Sequence, residues 1–195
     1  MEITAIISLV IMGVITDNIV LSQSLGICPF LGVSKKTDSA VGMGFAVTFV
    51  LLISSLVCYV LYNYLLVPFE IEYLQTITFI LIIAVLVQIL DIVLKKASPA
   101  LYNSLGVYLA LITTNCAVLG TANSIIDNGY TVLQTVIHSV SVGLGFTLAL
   151  ILMAGVRERI DKNEKIPKCF KGFPIALISA ALMSMAFAGF TGFSL

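Results

Sequence analysis

The chain has 195 residues, of which 59% are hydrophobic and 10% charged, with ten basic residues balanced by ten acidic ones. A soluble domain carries about a quarter charged residues, so a water-facing surface is excluded, and a mean hydropathy of +1.12 marks an integral membrane protein. Zero net charge gives no basis for binding nucleic acid, and four cysteines in apolar surroundings are too few for a secreted disulfide framework.

A helix crosses the hydrocarbon core in about 20 residues. The chain opens without a basic n-region, so no cleaved leader is expected. Its first apolar run covers 3–34 and is interrupted at Asp17-Asn18, which makes it one broken span. The second, 39–69, is long enough to cross with tilt. Glu70 and Glu72 mark the next turn, and a third span follows from Tyr73 to about Leu94, with Asp91 and Lys95 as a helix-end pair. Lys95-Lys96-Ala97-Ser98-Pro99 forms a break, and Pro99 suits a helix start. The remaining runs are 97–126, 128–156 and 172–195. All ten Lys and Arg fall in alternate connections: Lys35 and Lys36, then Lys95 and Lys96, then the cluster from Arg157 to Lys171. Basic connections face the cytoplasm, so both termini are expected outside.

Two short motifs recur. Cys28-Pro-Phe-Leu-Gly32 is echoed 88 residues later by Cys116-Ala-Val-Leu-Gly120. Each is followed by a Gly-x-Gly-Phe run, Gly42–Phe45 and Gly143–Phe146. Short glycine motifs also recur by chance in apolar sequence, but here the order is kept twice. Three spans per half is an odd number, so the halves insert in opposite senses. The expected fold is all-α: a single transmembrane domain over 1–195 with six helices. They form two three-helix inverted repeats, about 1–97 and 98–195, with the first and fourth helices interrupted. Inverted repeats place functional sites at the midplane on broken helices. Counting from Lys35 and from Asp127, Cys28 and Cys116 lie roughly 10 Å from one face and roughly 16 Å from the other, nearly the same depth.

Thiolates are soft ligands that suit iron, and a [2Fe–2S] cluster takes four of them. One chain offers a matched pair. The plainer alternative is that each cysteine is a small hydrophobe in a helix, which is the reading for unechoed Cys58. Cys169, among lysines, reads as a surface thiol. Asp17, with Asn18, is either an intramembrane functional carboxylate or the polar end of a short helix. Thr113, Thr114 and Asn115 either donate hydrogen bonds to sulfur or close a broken helix. Gln88 reads as interhelical glue, and His138 as a satisfied histidine near the outer interface rather than a proton relay.

The stretches Leu25–Lys36, Leu111–Gly120 and Phe187–Gly192 closely resemble the family of membrane subunits that contains the A subunit of the Rnf complex and the E subunit of the sodium-pumping NADH:quinone oxidoreductase. The resemblance spans essentially the whole chain. It implies a six-helix bacterial inner-membrane subunit paired with a homologous subunit of opposite topology. Two cysteines from each, here Cys28 and Cys116, would hold one [2Fe–2S] cluster. Other subunits would carry flavins and further iron–sulfur centres. The complex would pass electrons between ferredoxin and NAD+, coupled to Na+ or H+ movement. Asp17-Asn18 departs from the Asn-Asn pair of that family. The rival from another class is a secondary transporter whose broken helices bind a small solute directly.

Overall fold

The computed structural model describes residues 3–34, 37–69, 72–97, 111–112, 114–162, 167 and 170–190. Lys35, Lys36, Glu70, the run 98–110 with Pro99, Thr113, Lys165, Lys168, Cys169, Thr191 and Gly192 lie outside the described residues, as do the side chains of Asp91 and Lys95. Among the described residues every regular element is helical.

Helix α1 (Ile3–Ile11) runs into a π-helical turn, Met12–Thr16, which ends where the Asp17 N–H donates to the Met12 carbonyl at 2.7 Å. The chain then leaves helical geometry until α2 (Ile27–Val33). The interruption expected at Asp17-Asn18 is therefore present, and it is ten residues long, from 17 to 26. Pro29 does not kink a helix in progress. It sits in the first turn of a new one, where its missing N–H is not needed.

Helix α3 (Thr37–Leu61) continues through a π-helical turn, Tyr62–Leu66, to Phe69. A 3₁₀ turn at Glu72–Leu74 leads into α4 (Gln75–Ala97). Residues 111–112 are helical, 114–115 are not, and α5 (Cys116–Asp127) begins afresh. A tight turn joins it to α6 (Val132–Asp161), which starts with a capping box between Thr131 and Gln134. The last helix is α7 (Phe173–Ala188), with Pro174 in its first turn. Among the described residues two stretches, Thr37–Leu66 and Val132–Asp161, are long and apolar enough to cross a membrane alone. Ile6–Thr16, Gln75–Leu90 and Phe173–Ala188 are shorter apolar helices.

The central pairing is α3 against α6. A methyl group added at Gly44 would stand 2.5 Å from Thr147, and one at Gly143 would stand 2.6 Å from Thr48. Contacts that run 44-to-147 and 48-to-143 make the helices antiparallel. Each threonine also returns its hydroxyl to the carbonyl four residues back, Thr48 to Gly44 at 2.7 Å and Thr147 to Gly143 at 2.8 Å. The two glycines thus occupy reciprocal positions 99 residues apart.

The same interval holds along the helices. Each of the nine buried residues of α3 has a buried counterpart 99 positions later in α6, for example Val47 with Phe146, Leu51 with Leu150 and Cys58 with Arg157. Matching the Gly-x-Gly-Phe runs letter by letter gives 101, two residues out of step. The difference is physical: Gly42 meets nothing within 4 Å and Phe45 is 70% exposed, whereas Phe146 is fully buried.

Replacing Gly44 or Gly143 by Ala forces a methyl into a close helix crossing and is expected to cost about 1–3 kcal/mol. Gly42→Ala adds a methyl in open space and should be neutral or stabilising by up to about 1 kcal/mol. Thermal unfolding of the three variants in detergent separates the two registers.

Candidate functional site

The ten residues between α1 and α2 hold their shape through one side chain. Asn18 is fully buried. Its Nδ2 donates to the carbonyls of Val14 at 3.1 Å and Gly145 at 2.8 Å, and its Oδ1 accepts from the N–H of Val20 at 3.1 Å. The Ser184 hydroxyl of α7 donates to the Leu21 carbonyl at 2.6 Å, and the Leu25 N–H reaches the Ile19 carbonyl at 3.0 Å. These bonds satisfy backbone that a helix would otherwise have satisfied.

At its far end the segment meets the second cysteine. The Gly26 N–H donates to Cys116 Sγ at 2.9 Å. Gly26 has φ +78°, a left-handed conformation suited to glycine. A side chain there would meet Phe146 at 2.8 Å and Asn115 Oδ1 at 3.1 Å. Both constraints select glycine.

Cys28 lies in the first turn of α2 and Cys116 opens α5, so both sulfurs stand at the positive ends of helices. Four residues on, Gly32 and Gly120 fall on the same helical faces as the cysteines. A methyl at Gly120 would meet Leu25 at 2.5 Å, and one at Gly32 would meet Leu111 at 3.3 Å. Each motif's glycine thus admits a leucine that precedes the other motif's cysteine. This explains the spacing in Cys-x-x-Leu-Gly. The structure brings the two motifs together, and the level is mid-span: Phe146 stands 14 residues from Val132 and 15 from Asp161. That is about 21–22 Å of helix on either side.

The donor set fits an iron–sulfur group. Cys28 and Cys116 are both exposed free thiols, whereas Cys58 is buried in the core. Asn115 caps α5 by accepting from the Ala117 N–H at 3.1 Å, while its buried Nδ2 has no hydrogen-bond partner among the described residues. A buried donor of that kind suits a sulfur acceptor, and hydrogen bonds to sulfur tune cluster potential. Thr114 is exposed. Among the described residues no three His, Cys, Asp or Glu side chains converge on a metal position. Two thiols alone do not complete a cluster.

Several placements differ from what the sequence suggested. Arg157 counts there as a cytoplasmic loop charge. It lies within α6, is only 8% exposed, and donates to the Leu31 carbonyl at 2.6 Å and to Ser34 Oγ at 2.9 Å. A cation thus sits at the carbonyl end of α2. It also shares with Cys28 a cleft of about 670 Å³ bounded by Gly32 and Phe173. Gln88 is exposed on α4 rather than buried between helices. His138 packs on Tyr130, ring centroids 5.2 Å apart, and among the described residues its ring has no hydrogen bond. Asp17 is exposed, and Gln23 Nε2 donates to both of its carboxylate oxygens at 3.2 Å. Burial and then the Asp17 charge push the Tyr130 phenol above its ordinary value. No sequence signal joined Asp17 to His138 or Tyr130, because they are more than 100 positions apart.

The sequence matches the family described as Rnf-Nqr subunit, membrane protein, over residues 6–194. It is 54% identical over 190 residues to the A subunit of the Na+-translocating ferredoxin:NAD+ oxidoreductase complex of Acetobacterium woodii, covering 97% of this chain and 98% of the relative. It is 50% identical to the A subunit of the ion-translocating oxidoreductase complex of Syntrophotalea carbinolica, covering 94% of this chain and 95% of that one. The corresponding subunit of Vibrio cholerae is 50% identical over 189 residues, with 97% of each chain covered.

A membrane-permeant maleimide should modify Cys28 and Cys116 in the isolated chain and leave Cys58 unmodified until the protein unfolds. Mass spectrometry of the digested protein reads this directly. Modification of Cys58 before Cys116 would contradict the site geometry.

Proposed function

The chain belongs to the Rnf-Nqr family of membrane subunits, and from that premise we propose that it is the electron-transfer subunit of an ion-translocating ferredoxin:NAD+ oxidoreductase complex, not catalytic alone. Cys28 and Cys116 are its ligands to a [2Fe–2S] cluster, and a homologous six-helix subunit of opposite topology supplies the other two. A cluster so bound provides a one-electron carrier within the bilayer. The observation that carries the reading is the Gly26 N–H bond to Cys116 Sγ, which joins the two cysteine motifs at mid-span.

The chain's own residues do four things there. Cys28 and Cys116 present exposed thiols to a partner. Gly26 and Asn115 offer N–H donors to sulfur. Asn18 holds the unwound segment in place and has its amide committed to backbone, so of the pair Asp17-Asn18 it is Asp17 that remains for ion coupling. Thr114 borders the site beside Asn115. The reciprocal Gly–Thr contacts and the shared burial interval of α3 and α6 support two inverted repeats and so six spans, and the basic connections put both termini outside the bacterial inner membrane. Flavins and further iron–sulfur centres belong to the other subunits. Moving one charge against 100 mV costs about 2.3 kcal/mol, so a redox drop of that order is what the coupling requires.

Cys28→Ser and Cys116→Ser should each abolish the cluster's electron paramagnetic resonance signal and stop electron transfer, because a hydroxyl is a poor ligand for this iron. Cys58→Ser and Cys169→Ser should keep both. Either of the first two variants retaining a full signal in an assembled complex would show that cysteine to be packing.

Topology is checked separately. Single-cysteine probes near Glu70 and Asp127 should react with an impermeant reagent from outside, and a probe near Lys162 from the cytoplasm. Reaction of all three from one side would rule out the inverted arrangement.

A further inference from the structure

Asp17, Gln23, Ser124, Asn128, Tyr130 and His138 line a cavity of about 140 Å³ between α1, α5, α6 and the α5–α6 turn. Asn128 and Tyr130 lie in that turn, and Asp17 marks the start of the unwound segment. The cavity therefore runs from the end of the α5–α6 pair, the outer side in the proposed topology, to the break in the first span. Its wall mixes these polar groups with apolar residues such as Leu9, Ile19 and Val142, and it holds one carboxylate.

We propose that this cavity is an outward-facing binding vestibule for a monovalent metal cation of the Na+ type, with Asp17 as its charged ligand and His138 as a group whose protonation competes with the cation. The proposal rests on the reading of the chain as part of an ion-translocating complex, and it assigns the ion a place in this subunit. Three observations carry it. The available donors are oxygens from a carboxylate, amides and hydroxyls, which suit a hard cation rather than a soft one. A single carboxylate balances one positive charge, whereas a divalent ion would leave a net charge of +1 at the site. A liquid water occupies about 30 Å³, so the cavity has room for an ion with a few waters still attached.

His138 supplies the pH dependence. Its ring lines the cavity without a hydrogen bond among the described residues, so a proton there places a second positive charge in the space that the cation needs. The other titratable groups on the wall are Asp17 and Tyr130; α1 contributes Leu9, the π-helical turn contributes Met12 and Gly13, and α5 contributes Gly120, Thr121 and Ser124, none of which titrates. The vestibule is also tied to the redox site. The segment that starts at Asp17 ends at Gly26, whose N–H is on Cys116 Sγ. A change of charge at either end bears on the same short piece of backbone.

The test uses the purified complex in proteoliposomes. Ferredoxin-driven NAD+ reduction is measured against Na+ concentration, with choline replacing Na+ at constant ionic strength. The rate should saturate with Na+. Asp17→Asn should raise the half-saturating Na+ concentration by roughly tenfold or more, and Ser124→Ala should raise it by a smaller factor. Acidification from about pH 7.5 to about pH 5 should raise it more in the parent complex than in His138→Gln. The cluster's resonance signal, recorded on each sample, reports assembly independently, so a parent complex without that signal faults the electron-transfer reading and not the vestibule. Unchanged half-saturation in Asp17→Asn with a full cluster signal would overturn the proposal. So would a parent rate indifferent to Na+, which would make the proton the ion, or loss of the cluster in Asp17→Asn, which would make Asp17 structural.

Discussion

Backbone that leaves helical geometry inside a bilayer has no water to bond, so protein must satisfy every group it frees. The ten residues from Asp17 to Gly26 are where this chain meets that demand, and much else follows from how it does so. Asn18 bonds to two carbonyls and to the N–H of Val20, Ser184 reaches across from α7 to Leu21, and Gly26 gives its N–H to a sulfur. The last bond is the unusual one, because a thiol is a weak acceptor and a thiolate or metal-bound sulfur a better one. The geometry that closes the break therefore also suits the metal-bound sulfur proposed for Cys116. Gly13 belongs to the same arrangement, since a side chain there would strike Ser141 at 3.0 Å and push α1 off the helix that anchors Asn18.

What the sequence disclosed depended on range. The break at Asp17-Asn18 and the paired Cys-x-x-Leu-Gly motifs are local features, and the structure places both where local chemistry implied. The break recurs before Cys116 for the same reason: Asn115 is a good helix cap and starts α5 anew. Helix register was not legible. Gly-x-Gly-Phe repeats by letter at one interval while the packing repeats at another, because what α3 and α6 share is a Gly-x-x-x-Thr face and not a string of identical residues.

Long-range meetings were invisible for a different reason. Arg157 reads as one more positive charge at the end of a span, yet it is folded under α2 and bonded to Leu31 and Ser34. Asp17 reads as an isolated carboxylate, yet the turn after α5 brings Tyr130 and His138 to its cavity. Neither contact has a periodicity or a spacing to announce it. Both place charge along the broken first span, Arg157 at the carbonyl end of α2 and Asp17 at the entrance to the unwound residues. An electron arriving between them would be felt at each end, which is the physical basis on which electron flow and ion movement are linked in the function proposed for this chain.

Whether a cluster rests on two cysteines of this chain is decided by hyperfine spectroscopy of the reduced complex. This chain alone carries cysteine labelled with ¹³C at Cβ, in a background lacking Cys58 and Cys169. Resolved ¹³C couplings to the paramagnetic centre are expected from both remaining cysteines, Cys28 and Cys116. A full reduced-cluster spectrum without any ¹³C coupling would place every ligand on other subunits and contradict the proposed ligation.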